Sequence, residues 1–396
     1  MATAIKRGNS YKITVSNGYD IHGKQIRYHK TWTPEPGMTL HQIAKELDRQ
    51  KVLFEEECNN GKVANGNIKL EAFAEQWFHE YAEPKLKTRT VGCYHQFEKR
   101  VYAALGHLWM DKITTRAVQK FILNLQEPGV NESTGKVLAP KTIKNYLSFV
   151  SSVFDYAITQ GIVKENPCRG VALPTIQPKE RDCYTLEEAQ RFLELLQDEP
   201  PLWRTFFTLA IYTGFRRGEL FGLEWKDIDF ESNVIAIQRT SLYTKERGIF
   251  TDTPKTKSSQ RSLKVPESVI LLLRQYRAWQ SAERLKMGDQ WEQNDRLFIG
   301  LHGRPMQTNQ ADKWMSRFCE KTGMRYVNIH SFRHLNASLL INSGADIKTV
   351  SAALGHTQTS TTLNIYAHTF AQAQARAADA IADALTLTKN SQINTK

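Results

Sequence analysis

The sequence has few cysteines and none of the paired spacings that cysteine sites require. Five cysteines are scattered over 396 residues, and no two of them form a C-x-x-C pair. This pattern argues against a zinc ribbon and a disulfide framework, and it is typical of a reducing interior. Apolar runs long enough for a membrane span are also missing, and residues 1–10 are polar and basic rather than a secretory signal. We therefore expect a cytoplasmic protein.

Acidic residues are in the minority. The chain has 41 Asp and Glu against 53 Lys and Arg, a formal net charge of +12. This balance favours a polyanionic partner, although a merely basic protein would show the same excess. No G-x-x-x-x-G-K-[ST] loop occurs, so chemistry driven by a nucleotide is not indicated.

Two linker-like stretches divide the chain into three predicted domains. Residues 59–67 are rich in asparagine and glycine, and prolines recur between residues 167 and 178. The predicted fold is α+β and multidomain, with a small N-terminal β-sheet plus helix domain, a four-helix domain, and a mostly α domain with a small antiparallel sheet. The domain boundaries that follow are 1–62, 65–170 and 180–396.

Alternation and helical spacing place the main elements. Strands are predicted at residues 11–15 and 25–32, followed by a helix that begins after Thr39. In the last domain, the run from Thr185 to Glu188 is typical of a capping box that opens a helix. The remaining predicted elements are a buried helix at 202–212, strands at 234–237 and 261–265, and an alanine-rich helix at 372–385.

Basic residues are frequent in the first two predicted domains. Such residues are candidates for contact with a nucleic-acid backbone, or for a β-ribbon that enters a DNA groove. At each position the alternative is a solvated surface charge. The candidates are Lys6, Arg7, Lys12, Lys24, Arg27, Lys30, Lys87, Arg89, Lys141 and Lys144.

Four short motifs in the last domain carry the most information. They are T-G-F-R-R-G-E-L at 213–220, H-S-F-R at 330–333, L-G-H at 354–356 and I-Y at 365–366. An arginine offers a rigid two-pronged donor to a phosphate, and an assisted tyrosine hydroxyl can attack a phosphodiester. Each motif alone has a structural explanation, such as an Arg216–Glu219 pair within one helical turn, and Arg217 is a rival to Arg216. Their order and spacing point to one site.

These motifs resemble the tyrosine recombinase (phage integrase) family, over residues 65–390. Residues 1–62 resemble the arm-binding domain of integrases from phages and conjugative transposons, through K-R-G-N-S-Y-K-I-T-V and G-K-Q-I-R. The resemblance implies an arm-type DNA-binding domain, a core-binding (SAM-like) domain and a catalytic domain. The implied roles are Tyr366 as nucleophile, Arg216 and Arg333 as phosphate clamp, His330 and His356 as further active-site donors, and Glu219 as support for the first arginine.

The resemblance also implies a catalytic lysine on a β-hairpin after Arg216. Lys255 is the better match at the expected hairpin tip, and Lys257 stays possible. A mobile lysine can give a proton to the 5′-hydroxyl leaving group, and His330 is suited to take the tyrosine proton. Because arginines supply the donors for the phosphate, no metal or other cofactor is expected.

The implied function is site-specific strand exchange of a mobile element through a 3′-phosphotyrosyl intermediate. The implied partners are double-stranded DNA sites of core and arm type, a homotetramer in the synaptic complex, and an accessory DNA-bending or excision-directing factor. Residues 371–388 are a candidate docking helix, or they pack on their own domain. The competing hypotheses are a DNA-binding regulator, which needs neither Tyr366 nor the lysine, and a topoisomerase-like enzyme or chromosome-dimer resolvase.

Overall fold

The computed structural model describes residues 2–19, 25–59, 68–132, 134–176, 182–244, 247–252 and 260–393. The chain forms two compact units, Met1–Pro178 and Lys179–Lys396. Two separate hydrophobic cores lie in the first unit. In the second unit, one large core is accompanied by a smaller cluster.

The first core belongs to a small antiparallel sheet with one helix packed on it. The elements are β1 (Thr3–Arg7), β2 (Ser10–Tyr19), β3 (Gln25–Trp32) and α1 (Leu40–Asn59), with strand order β1-β2-β3. Ile13 and Val15 of β2 are buried against Phe54 and Cys58 of α1. Alternation along β2 thus places its apolar side chains on one face of the sheet, and the helix packs on that face, as predicted.

The second core belongs to a four-helix arrangement. The elements are α2 (Leu70–Trp77), α3 (Glu83–Lys85), α4 (Thr88–Val101), α5 (Thr115–Asn124) and α6 (Pro140–Thr159). A π-helical turn, Phe78–Ala82, joins α2 to α3, so the two form one continuous helical segment. The Trp77 ring is fully buried and lies 5.9 Å from the ring of Phe149 on α6. The predicted four-helix domain is confirmed over the described residues.

The second unit is mostly helical. Its helices are α7 (Leu186–Leu195), α8 (Pro201–Thr213), α9 (Arg217–Gly222), α10 (Glu267–Met287), α11 (Asn309–Thr322), α12 (Ile329–Asn342), α13 (Ile347–Leu354) and α14 (Thr359–Ile393). Thr185 caps α7 in the predicted capping box, with both reciprocal bonds to Glu188 present. The core of this unit is built around α8, most of whose residues are buried.

Two small antiparallel sheets accompany these helices. Their strands are β4 (Ile228–Asp229), β5 (Val234–Ile237), β6 (Thr240–Thr244), β7 (Gly248–Asp252) and β8 (Arg261–Lys264). The strand order is β4-β5-β8 in one sheet and β6-β7 in the other. The predicted strands at 234–237 and 261–265 are thus paired with each other, whereas the β6–β7 pair does not follow from the sequence pattern.

The end of α8 fixes the position of α12. The amide of Asn336 on α12 donates to the carbonyls of Ile211 and Tyr212 at 2.9 and 3.1 Å. Gly214 ends α8 in the left-handed region, at φ 60°, and an added Cβ there would lie 2.7 Å from Oδ1 of Asn336. A glycine is therefore needed for this close approach.

No helix in the described part of the chain combines the length and apolar character that a bilayer crossing requires. The five cysteines are free thiols, and Cys58, Cys168 and Cys319 are buried.

Candidate active site

Three arginines from distant segments converge on the C-terminal end of α13. The last carbonyls of a helix lack partners within the helix and carry its negative dipole end, so they attract cations. Three consecutive carbonyls are used in this way, each by a different guanidinium. The hydrogen bonds are Arg261 Nε to Ala353 O at 2.7 Å, Arg333 Nη2 to Leu354 O at 2.5 Å, and Arg216 Nη2 to Gly355 O at 3.1 Å.

Gly355 makes this convergence possible. It ends α13 in the left-handed region, at φ 62°. A Cβ at this position would lie 2.8 Å from Nη1 of Arg261. Only a residue without a side chain allows both the turn and the close approach of the guanidinium.

Glu219 is the carboxylate that two of these arginines share. Arg216 precedes α9, and its Nη1 donates to Glu219 Oε1 at 2.7 Å while its backbone N–H donates to Oε2 at 2.9 Å. Arg261 of β8 donates from Nη2 to Oε2 at 2.9 Å. Burial alone would raise the pKa of Glu219, but the hydrogen bonds and charges of Arg261 and Arg216 outweigh it and lower that pKa. Glu219 is therefore held ionised inside the unit.

Arg333 is the most buried member of the cluster. Its side chain donates from Nη1 to the carbonyl of Gly214 at 3.0 Å, and only 2% of the residue is exposed. Burial, followed by the charge of Arg216, lowers the pKa of Arg333 to about 9. An anion beside these groups would relieve the excess of positive charge, so the cluster is suited to hold a phosphate.

Arg217, the rival of Arg216, is occupied elsewhere. Its Nη1 forms an ion pair with Asp312 of α11. Arg216, by contrast, belongs to the cluster and keeps 38% of its side chain exposed. The structural pair with Glu219 is therefore present, and it leaves part of the Arg216 guanidinium accessible.

His356 follows Gly355 directly and lies in the same cluster. Its Nδ1 shares a hydrogen bond of 2.8 Å with the hydroxyl of Thr362, which is fully buried. Burial, followed by the charges of Arg333, Arg216 and Arg261, lowers the pKa of His356 to about 4. At neutral pH this imidazole is uncharged, so it can donate a hydrogen bond without adding charge.

Tyr366 returns to the cluster from α14. The residue is 5% exposed, and its backbone leaves the helical region there, at φ −118° and ψ 17°. Its hydroxyl lies 2.7 Å from Nδ1 of His334 on α12. His330, one turn earlier on α12, is exposed, and its ring centre lies 4.9 Å from that of His334. The predicted tyrosine and arginines thus share one site.

The two candidate lysines, Lys255 and Lys257, lie outside the described residues. The strands that flank their segment pair with other strands, β7 with β6 and β8 with β5. Within the described residues, β7 and β8 are not paired with each other.

Arg261 and His334 were not among the predicted site residues. Arg261 is the first residue of a predicted strand, and its contacts with Glu219 and Ala353 span 42 and 92 residues of sequence. No local spacing could have indicated them. The sequence indicates His334 only weakly as a site residue. It lies next to Arg333 and four residues after His330, and residues four apart share one side of a helix.

The predicted basic residues of the first sheet lie on two different faces. Arg7, Lys12 and Arg27 lie opposite the helix-covered face, by the register of the strands. They surround His29, whose pKa is lowered by burial and then by these three charges. By the same register, Lys6 and Lys30 lie on the face that the helix covers. Lys30 forms an ion pair there with Glu57 of α1, at 3.6 Å. Lys24 lies outside the described residues.

The basic residues of the four-helix domain form two separate pairs. Lys87 and Arg89 lie at the beginning of α4, and Lys141 and Lys144 lie in the first turns of α6. Ring contacts join residue 94 to 149 and residue 97 to 146, so α4 and α6 run antiparallel. The two pairs therefore lie at opposite ends of this helix pair.

Two family models match this chain. The model described as "Phage integrase family" covers residues 184–373, and the model described as "Phage integrase SAM-like domain" covers residues 73–172. Together they account for well over half of the chain.

Several relatives are similar along most of their length. A "Tyrosine recombinase XerC-like" protein from Caldanaerobacter subterraneus subsp. tengcongensis is 29% identical, over 96% of this chain and 97% of the relative. The "ICEBs1 integrase" of Bacillus subtilis is also 29% identical, over 70% of this chain and 72% of the relative.

Solved structures share the fold. The Tn1549 transposon integrase in complex with a circular intermediate DNA superposes with a TM-score of 0.64 at 21% identity, over 78% of this chain and 99% of that one. A lambda integrase tetramer bound to a Holliday junction gives a TM-score of 0.52 at 16% identity, over 90% and 96%.

Replacing Arg261 should destabilise the second unit far more than replacing Arg217. Arg261→Met leaves the buried Glu219 without one of its two arginines, which costs about 3–5 kcal/mol in the free energy of unfolding. Arg217→Met breaks an ion pair whose side chains are 35% and 30% exposed, which costs about 0–1 kcal/mol. Denaturant-induced unfolding measures both values. Equal decreases would contradict the role given to Arg261.

The low pKa of His356 predicts a specific dependence of stability on pH. The folded pKa is about 4 and the ordinary value is 6.5, so the unfolded chain binds more protons between these values. Stability therefore decreases as the pH falls from 6.5 towards 4. The free energy of unfolding of the wild type minus that of His356→Asn should fall over this range and stay constant above it. A constant difference throughout would show that His356 titrates normally.

Proposed function

This chain belongs to the phage integrase family as a tyrosine-type site-specific recombinase of a mobile element, and we propose that Tyr366 is its nucleophile. The phenolic oxygen attacks a phosphodiester, the bond from phosphorus to the 5′-oxygen breaks, and a 3′-phosphotyrosyl link forms. The link keeps the energy of the broken bond, so a 5′-hydroxyl can rejoin the strand. The observation that carries the proposal is the return of Tyr366 to the arginine cluster, beside Arg333 on α12.

Arg216 and Arg333 are proposed to clamp the attacked phosphate. Preorganised donors aimed at the nonbridging oxygens stabilise the charge that develops there in the transition state. Three guanidinium groups near one carboxylate, Glu219, support this role because their excess charge is fixed before DNA arrives. His356 adds a neutral donor, and His330, exposed on α12, adds a further hydrogen-bonding group.

The proton for the 5′-oxygen leaving group is proposed to come from a lysine between β7 and β8. Lys255 is the first candidate and Lys257 the second. The alkoxide is a poor leaving group, so a general acid at this atom speeds the step.

The proposed partners are double-stranded DNA sites of two kinds. Residues 180–396 act at the core site with residues 65–170 as the core-binding domain, and residues 1–62 bind distal arm sites. Strand exchange between two duplexes requires several active sites, and we propose a homotetramer in the synaptic complex. The lambda integrase tetramer on a Holliday junction supports that arrangement by analogy. An accessory DNA-bending or excision-directing factor sets the direction of the reaction.

The tyrosine assignment predicts one decisive variant. Wild-type protein incubated with a nicked attachment-site duplex should give a covalent protein–DNA band, and Tyr366→Phe should give none because the attacking oxygen is missing. Tyr326→Phe, which removes the hydroxyl of a tyrosine that is 47% exposed, serves as the control and should form the band. A band from Tyr366→Phe would refute the assignment.

The two faces of the N-terminal sheet predict a matched comparison. The double variant Lys12→Ala/Arg27→Ala removes two charges from the open face and should weaken arm-site binding. Lys6→Ala/Lys30→Ala removes the same charge from the helix-covered side and should weaken it less.

Fluorescence anisotropy over a range of salt concentrations measures the number of phosphates that the protein neutralises. For each phosphate that a variant no longer neutralises, the slope of log affinity against log salt should become shallower by about 0.9. Equal slopes for the two double variants would rule out the open face as the DNA-binding surface.

A further inference from the structure

The hydroxyl of Tyr366 has a built-in partner on α12. Its oxygen lies 2.7 Å from Nδ1 of His334, and the two ring centres are 5.7 Å apart. Both residues are almost fully buried, at 5% and 8% exposed. The two enclosed side chains thus face each other at hydrogen-bond distance within the site.

Packing holds both partners in place. The ring of Tyr366 belongs to a hydrophobic cluster with Ala337 and Ile341 of α12 and with Val350 and Leu354 of α13. The break in α14 at Tyr366 means that this cluster, and not the regular course of α14, determines where the ring lies. The nucleophile is therefore positioned by the same two helices that position the arginines.

His334 is fixed through its neighbour in sequence. Arg333 is bonded to the carbonyls of Gly214 and Leu354, which sets the rotation of α12 at this turn. Burial lowers the pKa of Arg333, and the charge of a Tyr366 phenolate is the last of several smaller contributions, acting in the opposite direction. The hydroxyl thus has a ring nitrogen at 2.7 Å that can take its proton, and the charge of Arg333 favours the phenolate that remains.

We propose that His334 is a catalytic residue, and that its Nδ1 orients the Tyr366 hydroxyl and accepts its proton as the phosphate is attacked. This inference rests on the proposed role of Tyr366 as nucleophile. In cleavage, the O–H bond of tyrosine breaks, its proton moves to Nδ1, the oxygen bonds to phosphorus, and the bond from phosphorus to the 5′-oxygen breaks. In rejoining, the same proton returns from Nδ1 to the departing phenolic oxygen.

The sequence pattern suggests His330 as the group that accepts the tyrosine proton, whereas the structure favours His334. His330 is exposed and lies edge-on to His334, with the rings perpendicular. Its place at the surface of the site suits a donor to the DNA phosphate. The proton of a buried hydroxyl is better taken by the buried imidazole that already contacts it.

Two substrates separate the two proton transfers of the cleavage step. One nicked duplex carries the normal 5′-oxygen at the attacked phosphate, and the other carries sulfur in place of that bridging oxygen. A thiolate leaves without protonation, so the sulfur substrate removes the need for the general acid but not for the group that accepts the tyrosine proton. Single-turnover formation of the covalent band is measured on both.

His334→Asn is the main variant, because its amide can still accept a hydrogen bond near the position of Nδ1 but is not a base. We expect cleavage by His334→Asn to be slower by about 100-fold or more on both substrates. Affinity for the nicked duplex should stay at the wild-type value. His334→Ala removes both the acceptor and the base and should be at least as slow.

Three outcomes would overturn the proposal. A wild-type or faster rate for His334→Asn would make the hydrogen bond a latch that restrains the tyrosine. If His334→Asn is slow on the normal substrate but recovers on the sulfur substrate, His334 protonates the leaving group instead. If His330→Asn stays slow on the sulfur substrate while His334→Asn cleaves at the wild-type rate, His330 is the group that accepts the tyrosine proton.

The role of His334 and the role of Tyr366 can fail separately. If Tyr366→Phe gives no covalent band while His334→Asn cleaves at the wild-type rate, only the inference on His334 fails. If Tyr366→Phe still gives the band, both assignments fall together.

Discussion

The C-terminal turn of α13 is the point on which the site depends. Three guanidinium groups held this close repel one another, and burial also deprives those of Arg261 and Arg333 of hydration. The helix end offers three consecutive carbonyls at its negative pole, and Glu219 adds one full negative charge to bind Arg216 and Arg261. The glycine of the L-G-H motif thus has a structural role, because it leaves room for the guanidinium of Arg261 beside the end of α13.

This arrangement leaves the cluster with more positive than negative charge, and the neighbouring groups respond to that excess. The pKa of Arg333 falls to about 9 and that of His356 to about 4. In both cases burial is the first cause and nearby arginines contribute next. An enclosed site in this state favours an anion strongly, since each new negative charge relieves several repulsions at once. For a DNA recombinase, the anion that reaches this site is a phosphodiester of the DNA backbone.

The sequence predicted the members of the site better than their connections. Arg216, Arg333, His356 and Tyr366 are identified by motifs, and the capping box at Thr185 and the strands at 234–237 and 261–265 follow from local patterns. Arg261 escaped because its contacts cross 42 and 92 residues, and no periodicity records such a distance. Alternation along the predicted strand at 25–32 already places Arg27 and Lys30 on opposite faces, but only the packing of α1 shows which of these faces is covered.

The break in α14 shows why the position of Tyr366, the proposed nucleophile, depends on the tertiary structure. A tyrosine in a regular helix would point where the helix directs it, whereas Tyr366 departs from helical geometry and packs on α12 and α13. Its position is therefore linked to Arg333 and His334 and not to the later part of α14, where Ile381 and Leu385 remain exposed. Phe370 and Ala373 still pack against the cluster that holds the tyrosine, so the contacts of α14 with its own unit weaken only beyond this point.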